Sequence, residues 1–231
     1  MALKNKFGCL WTLGLCLVAT KSMNVPSYTD KKFIQETVDT HNKWRGKVDP
    51  PAANMKEMSW DKGLAKLAKS WSSKCKFAHN PCSGQRYGCY QDFDYVGENI
   101  WLGGLKQFSP KSAIDDWFNE YKYYDFDNLT CSQVCGHYTQ VVWANSYTVG
   151  CAVTNCPNLG PTSTALFVCN YGPAGNYANR RPYTKGQSCS LCLEGERCIE
   201  NLCVTEIYSG KLPQLTTYHL LSLCFILQRM L

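Results

Sequence analysis

The sequence predicts an α+β domain held together by disulfide bonds. Hydrophobic residues recur at helical spacing in the first half of the chain, and strand-like patterns come mostly later. This order favours a layered α+β fold over repeated βαβ units, in which helices and strands would alternate. The 15 cysteines among 231 residues indicate a disulfide framework, which is typical of secreted proteins.

Two segments show clear helical periodicity. The first helix is expected between the caps Thr29 and Asp30 and the stop signals Gly46 and Pro50. Its buried face consists of Phe33, Ile34, Thr37, Val38, His41 and Trp44, so His41 is expected to be structural. The second helix is expected from Asp61, and its buried face consists of Leu64, Leu67, Ala68, Trp71 and Cys75. Cys75 should attach the end of this helix to the rest of the domain.

A third helix is expected to start at Ser112, whose hydroxyl would cap it, with Asp115 near the positive end of the helix dipole. Its expected buried face consists of Ile114, Trp117, Tyr121 and Tyr124. Glu120 follows Trp117 by three residues, so its carboxylate should point toward the interior or a cleft. A carboxylate in that position needs a partner or water.

The later part of the chain contains strand patterns and a cysteine-rich segment. Val149, Cys151 and Val153 alternate like a half-buried strand, and residues 165–169 form an apolar run of strand length. Residues 189–203 contain four cysteines and few large apolar groups, so this segment needs disulfides for stability. A zinc knuckle built on Cys189 and Cys192 is the alternative, but no histidine lies within this cluster.

The N-terminus has the pattern of a secretory signal peptide, residues 1–22. Lys4 and Lys6 precede an apolar stretch over 7–19 that is short for a membrane-spanning helix. A retained N-terminal anchor is the alternative.

The C-terminal tail, residues 205–231, has the order of a signal for a glycosylphosphatidylinositol (GPI) anchor. Ser209 or Gly210 would carry the lipid, followed by a polar spacer over 211–217 and an apolar run over 218–227. The compact spacer and Arg229 depart from that pattern, so a hydrophobic secreted tail is the alternative. The apolar run is about half the ~20 residues that a transmembrane helix needs.

Removal of both ends would balance the cysteines and the charge. Cys9 and Cys16 lie in the expected signal and Cys224 in the tail, so 12 of 15 cysteines would remain, an even set. Five cationic residues also lie in these ends, so the formal net charge would fall from +6 to about +1. We therefore expect no nucleic-acid partner. Asn128 begins the sequon Asn-Leu-Thr and is the expected glycosylation site.

Four short motifs carry a resemblance to a known family. They read HNKWR at 41–45, GENIW at 97–101, GHYTQVVW at 136–143 and CNYGPAGNY at 169–177. Together and in this order they resemble the signatures of the CAP superfamily (cysteine-rich secretory, antigen 5, pathogenesis-related). The resemblance implies a three-layer α-β-α sandwich with a central antiparallel sheet over 29–183. A small cysteine-rich hinge at 184–204 would follow it.

Within that superfamily the chain is most similar to the glioma-pathogenesis-related-like branch of mammals, because the four-cysteine hinge is present and no larger cysteine-rich domain follows. Members of this branch are associated with male reproductive tissue and gamete surfaces. The resemblance therefore implies a role in sperm–egg binding, with a protein or glycan receptor on the egg coat. It also implies an extracellular or outer-membrane location, here through a GPI anchor on the sperm surface.

The resemblance also implies a cavity that gathers His79, Glu98, Glu120 and His137. Imidazoles bind zinc well, and carboxylates can accept hydrogen bonds from imidazoles or orient a water molecule, so this set could hold Zn²⁺ weakly or optionally. The sequence contains neither a nucleophile elbow nor an HExxH motif. We therefore expect a recognition module without catalytic residues, and a metal-dependent hydrolase is the alternative.

Aromatic content leaves a third function open. Tryptophans could line a groove for a sterol or fatty acid, although core packing is the simpler explanation for most of them. The six in question are Trp44, Trp60, Trp71, Trp101, Trp117 and Trp143. The loop over 171–177 has the composition of tight turns and should shape the rim of the cleft.

Overall fold

In the computed structural model, which describes residues 25–160 and 163–205, helices cover both faces of a four-stranded sheet. The helices are α1 (Lys31–Arg45), α2 (Lys62–Ser72), α3 (Pro110–Phe118) and α4 (Gly136–Val141). The strands are β1 (Ser59–Trp60), β2 (Gly97–Gly104), β3 (Tyr124–Asp125), β4 (Thr130–Cys131), β5 (Thr148–Asn155), β6 (Thr164–Gly172), β7 (Glu196–Ile199) and β8 (Leu202–Thr205). The three-layer α-β-α arrangement implied by the motifs is confirmed.

The central sheet has the strand order β1-β5-β6-β2. The two long pairings are antiparallel, with Phe167 of β6 opposite Val153 on one side and Trp101 on the other. The short edge strand β1 runs parallel to β5. Helix α2 packs on one face against β5 and β6, while α1, α3 and α4 pack together on the other face.

The first two helices are confirmed, and Asp30, not Thr29, caps α1. The Asp30 carboxylate accepts from the Phe33 amide (2.9 Å) at the start of α1, and Asp61 accepts from Leu64 (2.8 Å) at the start of α2. His41 is fully buried within α1, as its place on the apolar face predicts.

The predicted start of the third helix is wrong by a few residues. Ser109 is the cap, Pro110 occupies the first turn, and Ser112 completes a reciprocal capping box with Ser109. The α-helix ends at Phe118 and continues as a 3₁₀ turn over Asn119–Tyr123. The change of period turns Tyr121 outward, where it is 51% exposed, instead of onto the expected buried face.

Strand β5 is confirmed in position, but its burial differs from the prediction. Residues from Val149 to Val153 are buried on both faces, because α2 covers one side and the other helices cover the second. Strand β6 is buried along its whole length. The alternation of Val149, Cys151 and Val153 therefore does not mark a half-solvated strand. These three residues belong to one core, and Ala152 between them belongs to the core on the opposite face.

All 12 cysteines of the described residues form disulfides. The pairs are Cys75–Cys156, Cys82–Cys89, Cys131–Cys135, Cys151–Cys169, Cys189–Cys198 and Cys192–Cys203. The last two brace the β7–β8 hairpin, so Cys189 and Cys192 are disulfide-bonded and do not form a zinc knuckle. Cys75 connects the end of α2 to the end of β5, as its position predicts.

Within the described segments, no helix combines the length and apolar character that a membrane crossing requires. The expected signal peptide, Ser209, Gly210 and the rest of the tail lie outside the described residues.

Candidate functional site

Glu98 and His79 form the first of two His–Glu pairs. Glu98 is the second residue of β2, and only 2% of its side chain is exposed. Its Oε1 accepts from His79 Nδ1 (2.9 Å) and from the Asn80 amide (2.9 Å). The segment just before His79 is held in place because the Trp71 indole donates to the Ala78 carbonyl (2.8 Å). The second carboxylate oxygen of Glu98 is buried and has no hydrogen-bond partner among the described residues.

Glu120 and His137 form the second pair. Glu120 lies in the 3₁₀ turn after α3 and reaches the N-terminus of α4. Its Oε2 accepts from the amides of His137 and Tyr138 (both 3.1 Å), and its Oε1 accepts from His137 Nδ1 (2.6 Å). The prediction that Glu120 points inward and needs a partner is confirmed, and the partner is a helix terminus together with a histidine.

The ring of His137 is held in a stack of three side chains. It lies parallel to the Trp117 indole, with ring centroids 6.0 Å apart. The same indole stacks on Phe167 of β6 at 5.4 Å. The site histidine is thereby fixed against the centre of the sheet.

Each glutamate selects one tautomer of its histidine. An ionised carboxylate only accepts hydrogen bonds, so the Nδ1 of both His79 and His137 must carry the proton. The Nε2 of each neutral ring is then left with a lone pair. The hydrogen bond that His79 Nδ1 donates to Glu98 raises the pKa of His79 above its ordinary value. The His79 side chain is 64% exposed and that of His137 28% exposed, so solvent can reach both rings.

The structure does not gather the four residues into one tight ligand cluster. Among the described residues, no three of His79, Glu98, Glu120 and His137 bring one ligand atom each within 4.8 Å of one another. His79 and Glu98 line a hollow of about 340 Å³, whereas Glu120 and His137 are not among its lining residues. The single four-residue metal site therefore stays a prediction, and the observed arrangement is two neighbouring pairs.

Asn99 connects the two pairs. It follows Glu98 in β2 and is buried, and its Nδ2 donates to the carbonyl of His137 (3.0 Å) and to the Tyr171 hydroxyl (3.3 Å). The Tyr171 hydroxyl in turn lies 2.9 Å from His41 Nε2. A buried polar network therefore runs from α1 through β6 and β2 to the start of α4.

Gln140 stabilises the rim of the hollow that His79 and Glu98 line. It is buried in α4, where its Oε1 accepts from the Gly175 amide (3.0 Å) and its Nε2 donates to the Ser146 hydroxyl (3.1 Å). A Cβ on Gly97 would lie 2.1 Å from this Oε1, so a larger residue at this position would displace the Gln140 side chain. The turn-rich loop over 171–177 shapes the cleft rim, as its composition predicts, because residues 174–177 line the hollow.

Arg45 supports the site, and the sequence analysis did not predict this role. It is fully buried at the end of α1, and its guanidinium donates to carbonyls of the segments beside the site. The acceptors are the carbonyls of Lys56, Val141, Trp143, Ala144 and Ser146. Burial lowers the pKa of Arg45 to about 9. Its place in the HNKWR motif was the available signal, because an arginine in a last helical turn is otherwise expected in solvent.

The comparisons with known proteins agree with the fold. The family model described as "CAP: Cysteine-rich secretory protein family" matches residues 38–171. The chain is 60% identical to human GLIPR1-like protein 1, over 99% of both chains. It is 51% identical to mouse glioma pathogenesis-related protein 1, over 78% of this chain and 68% of that protein.

A solved structure also matches. The crystal structure of NaASP2 with Zn²⁺ superposes with a TM-score of 0.60 at 28% sequence identity. The match covers 75% of this chain and 96% of that one.

Proposed function

Because the chain belongs to the cysteine-rich secretory protein (CAP) family, in its glioma-pathogenesis-related branch, we propose that it is an extracellular recognition module without catalytic turnover. Its rigid sandwich would present the loops around the cleft to a protein or glycan receptor on another cell. From the resemblance to this branch, we propose that the receptor lies on the egg coat and that this protein lies on the sperm surface. The six disulfides of the described residues fit an oxidising, extracellular setting.

One observation supports a function without turnover: the carboxylates of Glu98 and Glu120 already accept hydrogen bonds from the protein itself. Glu120 accepts from three N–H groups of α4, and Glu98 accepts from His79 and Asn80. A general base must be free to take a proton from a reacting group. Glu120 has both oxygens engaged in this way, whereas Glu98 has one oxygen engaged and the other buried from solvent.

The two histidines are the ligands that we propose for a weakly bound Zn²⁺. Their Nδ1 atoms are engaged by Glu98 and Glu120, and this carboxylate–histidine arrangement typically surrounds zinc, with Nε2 as the ligand. The unpartnered Glu98 oxygen supports a cation or an ordered water nearby. The crystal structure of NaASP2 with Zn²⁺ lends further support. A bound zinc ion would supply Lewis acidity to a water molecule.

A zinc titration followed by calorimetry tests this part of the proposal. His79→Gln and His137→Gln should each weaken binding at least tenfold, and Glu98→Gln should weaken it less because it removes an outer partner. The matched control is His41→Gln, which removes an imidazole that is already bonded at both nitrogens. Equal affinity in all variants would place the metal elsewhere.

Two assays on the purified protein distinguish the recognition function from the hydrolase function. The first measures attachment to eggs, and the second screens hydrolase substrates with and without a chelator. We expect attachment to survive Glu98→Gln and Glu120→Gln, with no turnover in any sample. Chelator-sensitive turnover that disappears in both variants would establish the hydrolase alternative.

We also propose that the chain is secreted and then held on the outer leaflet by a lipid at Ser209 or Gly210. The support is the order of small residues, polar spacer and apolar run in the tail. Phosphatidylinositol-specific phospholipase should release the protein from expressing cells. Retention after treatment, with a known anchored protein released in the same sample, would contradict the anchor.

A further inference from the structure

A second, wider hollow lies beside the His–Glu cleft and has no role in the chemistry described above. Its volume is about 770 Å³, which is within the ~300–1,000 Å³ typical of ligand sites. Its walls include two aromatic rings, two guanidinium groups and two side-chain amides. These belong to Trp143, Tyr177, Arg180, Arg181, Asn54 and Asn145.

This hollow shares the lining residue Tyr177 with two neighbouring hollows. A smaller hollow of about 300 Å³ shares Trp143, Tyr177 and Arg180 with the wide one. The hollow that contains His79 and Glu98 shares Ala174 and Tyr177 with it. Three adjoining depressions therefore form one extended groove around the Tyr177 ring, and this shape suits a linear ligand better than a compact one.

The loop that carries Tyr177 is held firmly in place. Asn176 adopts a positive φ of 57°, and its side-chain amide donates to the Gly136 carbonyl (2.8 Å). The Thr139 hydroxyl donates back to Asn176 Oδ1 (2.7 Å), and the Ala174 amide donates to the Tyr95 carbonyl (3.0 Å). A wall fixed in advance loses little conformational entropy when a ligand binds.

The groove is cationic, and among the described residues one of its cations has neither an ion pair nor a side-chain hydrogen bond. Lys185 contacts Asp127 (3.3 Å), and Arg181 donates to the carbonyls of Phe126 and Asp127. The exposed guanidinium of Arg180 lies over the Tyr177 ring at 5.9 Å. It has no carboxylate within 4.0 Å in the part of the chain that the structure describes. It is therefore available for a bidentate hydrogen bond to an anion.

We infer that this groove binds an acidic sugar, one that carries a carboxylate or a sulfate ester. Arg180 would hold the anionic group, while the Tyr177 ring, exposed over 45% of its surface, would contact the apolar face of a sugar ring. Asn54 and Asn145 also line the hollow; Asn54 Oδ1 accepts from the Thr184 amide (2.9 Å), so its Nδ2 and the Asn145 amide are the groups suited to hydroxyls. This inference rests on the proposed function, because it names the class of receptor that a recognition module would bind.

An acidic peptide is the competing ligand, and the groove favours the sugar. A peptide gains affinity by pairing its backbone with an exposed strand edge, and none of the residues that line this hollow lies within a strand. Its walls instead offer side-chain donors and ring faces, which are suited to hydroxyls and sugar rings.

The experiment uses the secreted full chain and four probes: sialyllactose, lactose sulfated at one hydroxyl, lactose and a tetraglutamate peptide. Calorimetry should show that at least one acidic sugar binds at least tenfold more tightly than lactose. The two acidic sugars distinguish a carboxylate from a sulfate. Arg180→Gln should reduce that affinity about tenfold, since it removes a charge-assisted hydrogen bond, and Tyr177→Ala should weaken both acidic and neutral sugars.

Arg86→Gln is a closely matched control. Arg86 is also exposed and also lies over a tyrosine ring, Tyr87 at 5.3 Å, but it is paired with Asp94 at 3.0 Å. Its replacement removes the same charge and should change sugar affinity less than about twofold. Both arginines lie at the surface, so unchanged melting temperatures should show that the variants fold.

Three outcomes would overturn the inference. They are no binding of either acidic sugar, equal losses in Arg180→Gln and Arg86→Gln, or tighter binding of tetraglutamate than of both sugars. If the sugars fail but the protein still attaches to eggs, only this inference falls. If the sugars bind but attachment to eggs is absent, the groove stands and the proposed cellular role falls.

Discussion

His41 Nε2 and the Tyr171 hydroxyl lie 2.9 Å apart in the core, where they join the first helix to strand β6. The other ring nitrogen of His41 lies 2.8 Å from the Thr37 carbonyl. A carbonyl can only accept, so His41 Nδ1 donates and Nε2 accepts from the hydroxyl. The ring is therefore neutral, and burial lowers its pKa to about 4 from an ordinary 6.5.

This shift predicts a loss of stability in mild acid. The unfolded chain binds a proton at His41 near pH 6.5, whereas the folded chain binds it only near pH 4. The free energy of unfolding should therefore fall as the pH falls through this window, by about 3 kcal/mol in total. Denaturant unfolding at several pH values measures it. His41→Gln should reduce the slope, and the control His79→Gln should not. A slope unchanged in His41→Gln would contradict the assignment.

The sequence allowed much of the fold to be predicted, because long amphipathic helices carry strong signals. Helices α1 and α2 follow from hydrophobic spacing and from the caps Asp30 and Asp61. The start of α3 was misplaced although Ser109–Pro110 is a strong start signal, because Ser112 also fits a cap. Strand β2 contains three glycines and a glutamate, so its composition resembles a loop more than a strand.

The candidate site was predicted only in part. The inward direction of Glu120 follows from helical geometry, but its contact with α4 depends on how two distant segments meet. Burial of Arg45 could not be deduced from spacing, because its partners are backbone carbonyls that converge only in the folded chain. For the same reason, the division of the four residues into two pairs required coordinates.

Arg45→Met should destabilise the protein by about 3–5 kcal/mol, because several buried carbonyls lose their donor at once. Arg45→Lys should recover only a fraction of this, since an ammonium cannot reproduce the planar fork. Chemical denaturation monitored by tryptophan fluorescence gives the free energies. Arg86→Met, at an exposed ion pair, is the control and should cost less than about 1 kcal/mol. A loss below 1 kcal/mol in Arg45→Met would contradict the structural role.

Glu120→Ala should loosen the start of α4. The amides of His137 and Tyr138 would lose the carboxylate that accepts from both, and hydrogen bonds to charged groups contribute about 1.5–3 kcal/mol. Amide hydrogen exchange at these two positions should accelerate about tenfold or more. Asp116→Ala is the control, because this carboxylate accepts from the Trp101 indole away from α4. Exchange at His137 that is unchanged in Glu120→Ala would show that another group caps the helix.

The disulfides should differ in their contribution according to the loop that each closes. Cys75–Cys156 spans 81 residues and connects α2 to the end of β5, whereas Cys82–Cys89 spans 7 residues. Chain entropy alone predicts stabilisation of about 4.5 kcal/mol for the longer loop and about 2.4 kcal/mol for the shorter. Replacing both members of each pair with alanine and comparing unfolding midpoints measures the difference. Removal of Cys75–Cys156 should be the more damaging, also because Cys156 is buried. An equal or reversed order would show that native contacts around the segment between α2 and β2 outweigh loop entropy.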